Sequence, residues 1–183
     1  MKHQLRFDSE IFKRSDTHGG SLRRRRAGRR ARPISSKNPI HLVLRRHRSQ
    51  KASFRCPREF HLILAAIHQY SRRFAVKIEM QSIQGNHIHF LIRVGNRTQF
   101  QSFARVLAGQ IAQRVTDTFR ERKTEEFWEH RPWTRIVKGW KAYRIVQAYI
   151  RLNEQEALGN IPYQGKRLAG LAQRDFELVW GFG

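Results

Sequence analysis

Apolar residues recur along the chain with two periods, and the switches between them mark the elements. Ile40–Leu44 is a short apolar run ending at Arg45 and Arg46, which predicts a strand. Pro57–Phe74 predicts a helix, with Pro57 in the first turn and Phe60, Ile63, Leu64 and Ile67 on one face. Ala75–Ile83 alternates Val76, Ile78 and Met80, a second strand. Gln84-Gly85 offers a hairpin turn into Asn86–Val94, a third strand that stops at Gly95. Thr98 to Gln101 has the form of a capping box. It opens a long helix whose buried face is Phe100, Phe103, Leu107, Ile111, Val115 and Phe119. Trp133–Lys138 predicts a short strand, and a helix follows from about Trp140 to Leu158, closed by Gly159.

This order, β-α-β-β-α-β and then a helix, predicts an α+β fold. It matches the ferredoxin-like arrangement, an antiparallel sheet with helices on one face. Residues 35–160 would form this domain. Residues 1–34 read as a basic, flexible arm, and 161–183 as a tail with no clear pattern. A chain of 183 residues that is 39% hydrophobic supports one core.

Charge changes the picture. There are 37 Lys and Arg against 14 acids, a formal net charge of +23. Such an excess repels itself in the compact state and calls for a polyanionic partner, nucleic acid first. The densest stretch, Ser21–Arg32, holds seven arginines in twelve residues and no apolar stripe, which argues against a membrane surface. Arg23, Arg24, Arg25, Arg26, Arg29, Arg30 and Arg32, with Arg45 and Arg46, are the candidate DNA-binding residues. Trp128, Trp133 and Trp140 could stack on unpaired bases, although core packing is the commoner role. A single cysteine, Cys56, excludes an intrachain disulfide and a cysteine-based zinc site. With no apolar run of 18 residues and no secretory signal pattern, the expectation is a soluble cytoplasmic chain, associated with the nucleoid.

Candidate chemistry sits on the third strand. Alternation places His87 and His89 side by side on one face, Cα atoms roughly 7 Å apart, with Ile88, Phe90 and Ile92 on the other. Two such imidazoles are half of a metal site, although His-x-His alone is more often two surface histidines. On the last helix Tyr149 and Asn153 are four apart and share a face, beside a stripe of Ile145, Ala148 and Leu152. If that helix packs by the histidine strand, His87, His89 and Asn153 could hold a divalent cation and Tyr149 could act as nucleophile. Tyr143 and Gln147 repeat the same spacing, and spacing does not choose between the pairs.

Asn86-His87-Ile88-His89-Phe90-Leu91-Ile92 resembles the His-hydrophobic-His motif of the single-tyrosine transposases, which include insertion-sequence and REP-associated enzymes. Tyr149-Ile150-Arg151-Leu152-Asn153 resembles their tyrosine helix, Phe127-Trp128 their Phe-Trp element, and Lys37–Leu42 their first strand. Leu152-Asn153-Glu154 departs from the Asn-Asn-Pro common in REP-associated members. The resemblance spans about residues 37–158 and favours Tyr149 over Tyr143. It implies Mg²⁺ or Mn²⁺ held by His87, His89 and Asn153, and cleavage of single-stranded or hairpin DNA through a 5′-phosphotyrosine link. It also implies a monomer or a homodimer, since both occur in the family. Two other readings remain: an inactive binder of hairpin DNA or RNA with the same fold, and an RNA-binding sheet. The second lacks stacked aromatics on the histidine strand.

Overall fold

Two apolar faces of one sheet decide how the elements assemble. A computed structural model describes residues 14–20, 31–49, 53–117 and 126–162. A short 3₁₀ turn (Arg14–Asp16) leads into β1 (Thr17–His18). Then come β2 (Ile40–Arg45), α1 (Pro57–Arg73), β3 (Lys77–Ile83), β4 (His87–Arg93), α2 (Arg97–Thr116), β5 (Trp133–Ile136) and α3 (Trp140–Ala157). The sheet has five strands in the order β1-β5-β2-β4-β3, and every neighbouring pair is antiparallel. Without β1 this is the ferredoxin-like order that the element sequence predicts.

The register assigns the faces. Ile40, Leu42 and Leu44 of β2 pair with Ile92, Phe90 and Ile88 of β4. These side chains join Ile63, Ile67, Phe100, Phe103, Leu107 and Ile111 of α1 and α2 in the main core. The opposite face carries His41 and Val43 of β2, paired with Leu91 and His89 of β4. There Leu91 packs with Ala142, Ile145, Val146, Tyr149 and Ile150 of α3 in a smaller core. The helices of the split βαβ unit thus cover one face, and the tyrosine-bearing helix covers the other.

Three details differ from the sequence expectation. The register of β3 shifts between Ile78 and Met80, a bulge that spoils strict alternation. Ile78 therefore packs on the main core and Met80 on the α3 core. The cap of α2 is Asn96 rather than Thr98: its side chain accepts from the Gln99 amide at 2.9 Å. Gln99 in turn accepts from the Gly95 amide and donates to the Phe74 carbonyl at 2.6 Å. The cap lies two residues earlier than expected, with Gln99 reaching back to Gly95 rather than to the Asn96 amide of a strict capping box, and it ties α2 to the end of α1.

The third difference lies in the segment expected to be an arm. Residues 17–18 pair with Arg135 and Thr134 of β5. Asp16 accepts from the Lys138 ammonium at 2.7 Å. Gly19 and Gly20 lie against Pro132 and Trp133 so closely that a Cβ on Gly19 would sit 2.2 Å from the Pro132 oxygen. Arg23 to Arg30, Phe119 and the tail from 163 onward lie outside the described residues.

Candidate active site

β4 brings the two histidines to the α3 face. His87 is half-buried and His89 fully buried, with ring centroids 4.8 Å apart. α3 starts after Gly139, whose φ of +80° suits glycine, and ends at Ala157, two residues before Gly159, also at positive φ. Its buried residues are Ala142, Ile145, Val146, Tyr149, Ile150 and Asn153. Tyr149 and Asn153 are thus within the buried stripe, 4% and 3% exposed, while Ala148 faces solvent and Leu152 is half-buried. The stripe expected from Ile145, Ala148 and Leu152 is rotated, because contact with Leu91 and Met80 selects the Val146 and Ile150 side of the helix.

The structure links the four candidates as a chain of neighbours: His87 to His89, His89 to Tyr149, and Tyr149 to Asn153. The Tyr149 ring stands edge-on to His89, with centroids 5.3 Å apart and planes at 89°. Asn153 donates through Nδ2 to the Tyr149 carbonyl at 2.8 Å, which leaves Oδ1 as the amide atom with ligand chemistry. Gln84, in the β3–β4 turn, donates to the Asn153 carbonyl at 2.8 Å and to Ser82 Oγ at 2.7 Å, and so pins α3 to the hairpin. His87 Nδ1 lies 2.7 Å from Asn86 Oδ1.

Among the described residues, no three His, Cys, Asp or Glu side chains cluster as a metal site. A cation held by His87, His89 and Asn153 would meet two imidazoles and an amide oxygen, a neutral donor set. Such a set suits a divalent ion that also takes water and phosphate oxygens. Imidazoles are borderline donors, so a hard ion such as Mg²⁺ or Mn²⁺ would rely here on the amide oxygen together with water and phosphate oxygens.

Tyr143 has other company. It accepts from Gln147 Nε2 at 3.0 Å and stacks on Trp140 at 5.6 Å. Its phenol is pushed above the usual value, first by desolvation and then by Glu79, which opposes forming a phenolate. Of the two tyrosines, Tyr149 has its ring against His89.

One residue escaped the sequence reading. His41, on β2, is fully buried, and its Nε2 lies 3.1 Å from His89 Nδ1. Its ring stacks on His89 at 5.3 Å and meets the edge of Trp133 at 5.2 Å. Burial first, and the neighbouring Arg135 charge second, push its pKa down to about 3. The available signal was a lone polar residue inside the apolar run Ile40–Leu44.

The candidate DNA-binding arginines within the described residues have protein partners. Arg32 donates to Thr134 Oγ1 at 2.7 Å and lies over the Phe100 ring, on the face opposite Tyr149. Burial, then Arg131, lowers its pKa to about 10, so it stays cationic at neutral pH. Together with Arg105 and Arg131 it lines a cavity of about 810 Å³ beside α2. Arg45 pairs with Glu129 at 3.0 Å, and Arg46 is buried with its guanidinium over Phe54. Trp128 donates to the Ala108 carbonyl at 3.0 Å, and Trp133 is 2% exposed, so both are packing residues. Trp140 is 69% exposed. No described helix is long and apolar enough to cross a membrane.

The profile of the family described as "Transposase IS200 like" matches residues 35–153. Among solved structures, a REP-associated tyrosine transposase bound to a REP hairpin superposes with a TM-score of 0.58. It is 15% identical, over 74% of this chain and 81% of that one. A Deinococcus radiodurans R1 protein named as a candidate transposase aligns with a TM-score of 0.44 at 12% identity, over 69% of this chain and 98% of that one. No curated protein sequence matches the chain.

Proposed function

The chain belongs to the IS200-like transposase family, and from that premise we propose that it nicks and rejoins single-stranded DNA through Tyr149. The observation that supports this most is the Tyr149 ring standing edge-on to His89, which neighbours His87 on the same face of β4.

In this reading the Tyr149 phenol gives up its proton and its oxygen attacks a phosphodiester phosphorus. An O–P bond forms to tyrosine, the bond to the 3′ oxygen breaks, and that oxygen leaves as a 3′ hydroxyl after taking a proton. The 5′ phosphate stays on the protein as a diester. A phosphodiester bond is conserved, so a 3′ hydroxyl can reverse the step and join strands. His87, His89 and Asn153 would hold Mg²⁺ or Mn²⁺, which when bound supplies Lewis-acid stabilisation of charge on the phosphate. Asn153 holds its amide through the Tyr149 carbonyl, so nucleophile and third ligand are set by one turn of α3. Arg23–Arg26, Arg29 and Arg30 would supply affinity for the phosphate backbone, salt-sensitive and indifferent to sequence, whereas Arg32, Arg45 and Arg46 are engaged within the protein. The substrate proposed is single-stranded DNA next to a hairpin. The protein would work in the cytoplasm at the nucleoid, as a monomer or a homodimer.

The test is covalent capture. Incubated with a hairpin-bearing single strand and Mn²⁺ or Mg²⁺, the wild type should form an adduct that survives denaturation. Tyr149→Phe should lose it completely, and Tyr143→Phe should keep it. An adduct in the Tyr149 variant would overturn the assignment. A second reading rests on the burial of Tyr149, only 4% exposed: a binder that keeps fold and charge without the reaction. It predicts hairpin binding and no adduct with either metal.

A further inference from the structure

We infer that His41 is a positioning residue: from β2 its Nε2 accepts the Nδ1 proton of His89 and so reserves His89 Nε2 for a divalent cation. The inference rests on the metal reading of His87 and His89 above.

A neutral imidazole carries one proton, and only the nitrogen without it can bind a cation. The 3.1 Å contact between His41 Nε2 and His89 Nδ1 permits two arrangements. If His41 donates, the neutral His89 must carry its proton on Nε2, and the nitrogen engaged with His41 is the one with the lone pair. That arrangement removes His89 as a ligand. If His41 accepts, His89 is the Nδ1–H tautomer and Nε2 has ligand chemistry. Only the second makes His89 useful to a metal.

His87 supplies an independent parallel. Its Nδ1 lies 2.7 Å from Asn86 Oδ1, and an amide oxygen can only accept, so that Nδ1 carries the proton. Two unlike partners, the side chain of the preceding residue and a histidine from the adjacent strand, would thus impose one tautomer on both histidines. Ligating histidines commonly donate their second N–H to such a partner, which fixes the ring and raises its basicity.

The fit of His41 suits this task. It is wholly buried, its ring stacks on His89 with planes at 25°, and Trp133 closes its edge at 5.2 Å. Register makes the placement obligatory, since His41 and Val43 oppose Leu91 and His89 on the α3 face. Packing alone would be served by phenylalanine. Accepting a proton would not.

Full-length protein can decide the matter with two measurements. The first is the His89 tautomer in the metal-free wild type, from long-range ¹H–¹⁵N correlation of the ring. The Nδ1–H form is expected, and the Nε2–H form overturns the inference. The second is Mn²⁺ affinity, followed by electron paramagnetic resonance. His41→Phe should bind Mn²⁺ roughly 10–100-fold more weakly. His41→Gln, whose side-chain oxygen reaches about where Nε2 lay, should recover most of the loss. Equal affinity in wild type and a folded Phe variant overturns the role of His41 alone. A wild type that takes up no Mn²⁺ overturns the metal reading, and the role of His41 with it. If the Phe variant fails to fold, the wild-type tautomer still decides.

Discussion

Trp140 shows how much one side chain's surroundings alter its meaning. The sequence offers three tryptophans as base-stacking candidates, and burial separates them. Trp128 spends its indole N–H on a carbonyl of α2, and Trp133 is sealed between sheet strands and His41. Trp140 stays open, its ring stacked on Tyr143 and under the Arg144 guanidinium at 6.0 Å. It opens α3, nine residues before Tyr149, or roughly 13 Å along the helix axis. A base stacked there would lie along the tyrosine helix. Trp140→Ala should weaken binding of single-stranded DNA by roughly 1–3 kcal/mol. Trp140→Phe should restore most of it, and neither change should move the melting temperature much, because the ring covers no core. Fluorescence anisotropy with a labelled strand checks this; unchanged affinity in the alanine variant would rule the ring out. The histidines illustrate the same lesson. His87 and His89 were readable because alternation puts them on one face of one strand. His41 was not, because its partnership with His89 depends on a register between strands that no local pattern reveals.

Among the elements, β1 is the one that the sequence concealed. Two residues cannot display a period, and Gly19-Gly20 beside an arginine cluster suggests a loose arm. What holds β1 is non-local: pairing of Thr17 and His18 with β5, and the Asp16–Lys138 ion pair. Gly19 makes the approach possible. Its φ is +87°, and a Cβ would meet the Pro132 oxygen at 2.2 Å. Gly19→Ala should therefore lift β1 from the sheet edge, at a cost of roughly 1–3 kcal/mol. Hydrogen exchange should show faster exchange at Gly20, whose amide donates to the Arg131 carbonyl at 3.1 Å, with β2 and β4 unaffected. If Gly20 keeps its protection in the variant, the edge strand does not depend on that close approach. The longer elements were legible because each repeats its period several times. α1, β4 and α3 fall within about two residues of their sequence bounds, while α2 stops at Thr116, with left-handed Asp117 ahead of the expected Phe119. The errors lie where a tertiary contact overrides the pattern: the bulge that sends Ile78 and Met80 to different cores, the cap moved from Thr98 to Asn96, and the rotation of α3 that buries Tyr149 and Asn153 and exposes Ala148.

Over the whole molecule, the sheet divides labour between its faces. The face toward α1 and α2 is apolar and supplies the larger core, whereas the face toward α3 buries His41, His89, Arg135 and Asn153 among fewer apolar residues. Burying those polar groups should make stability depend on pH, and His41 sets a sign that can be worked out. Unfolded, its imidazole titrates near 6.5; folded, burial and then Arg135 hold it at about 3. Between those values the unfolded chain binds more protons than the folded one, so stability rises with pH through the window. The contribution is fully present above pH 6.5 and is lost progressively as pH falls toward 3. Metal-free protein should therefore show a urea midpoint that drops from pH 7 to pH 4.5. The carboxylates and the mounting positive charge act alike in wild type and variant, so the difference between two proteins isolates the histidine. His41→Gln cannot titrate, and its midpoint should fall less steeply over the same range. Parallel curves for wild type and His41→Gln would mean that His41 takes up its proton in the folded protein, and that the ring is neither as dry nor as tightly held as its place between His89 and Trp133 requires.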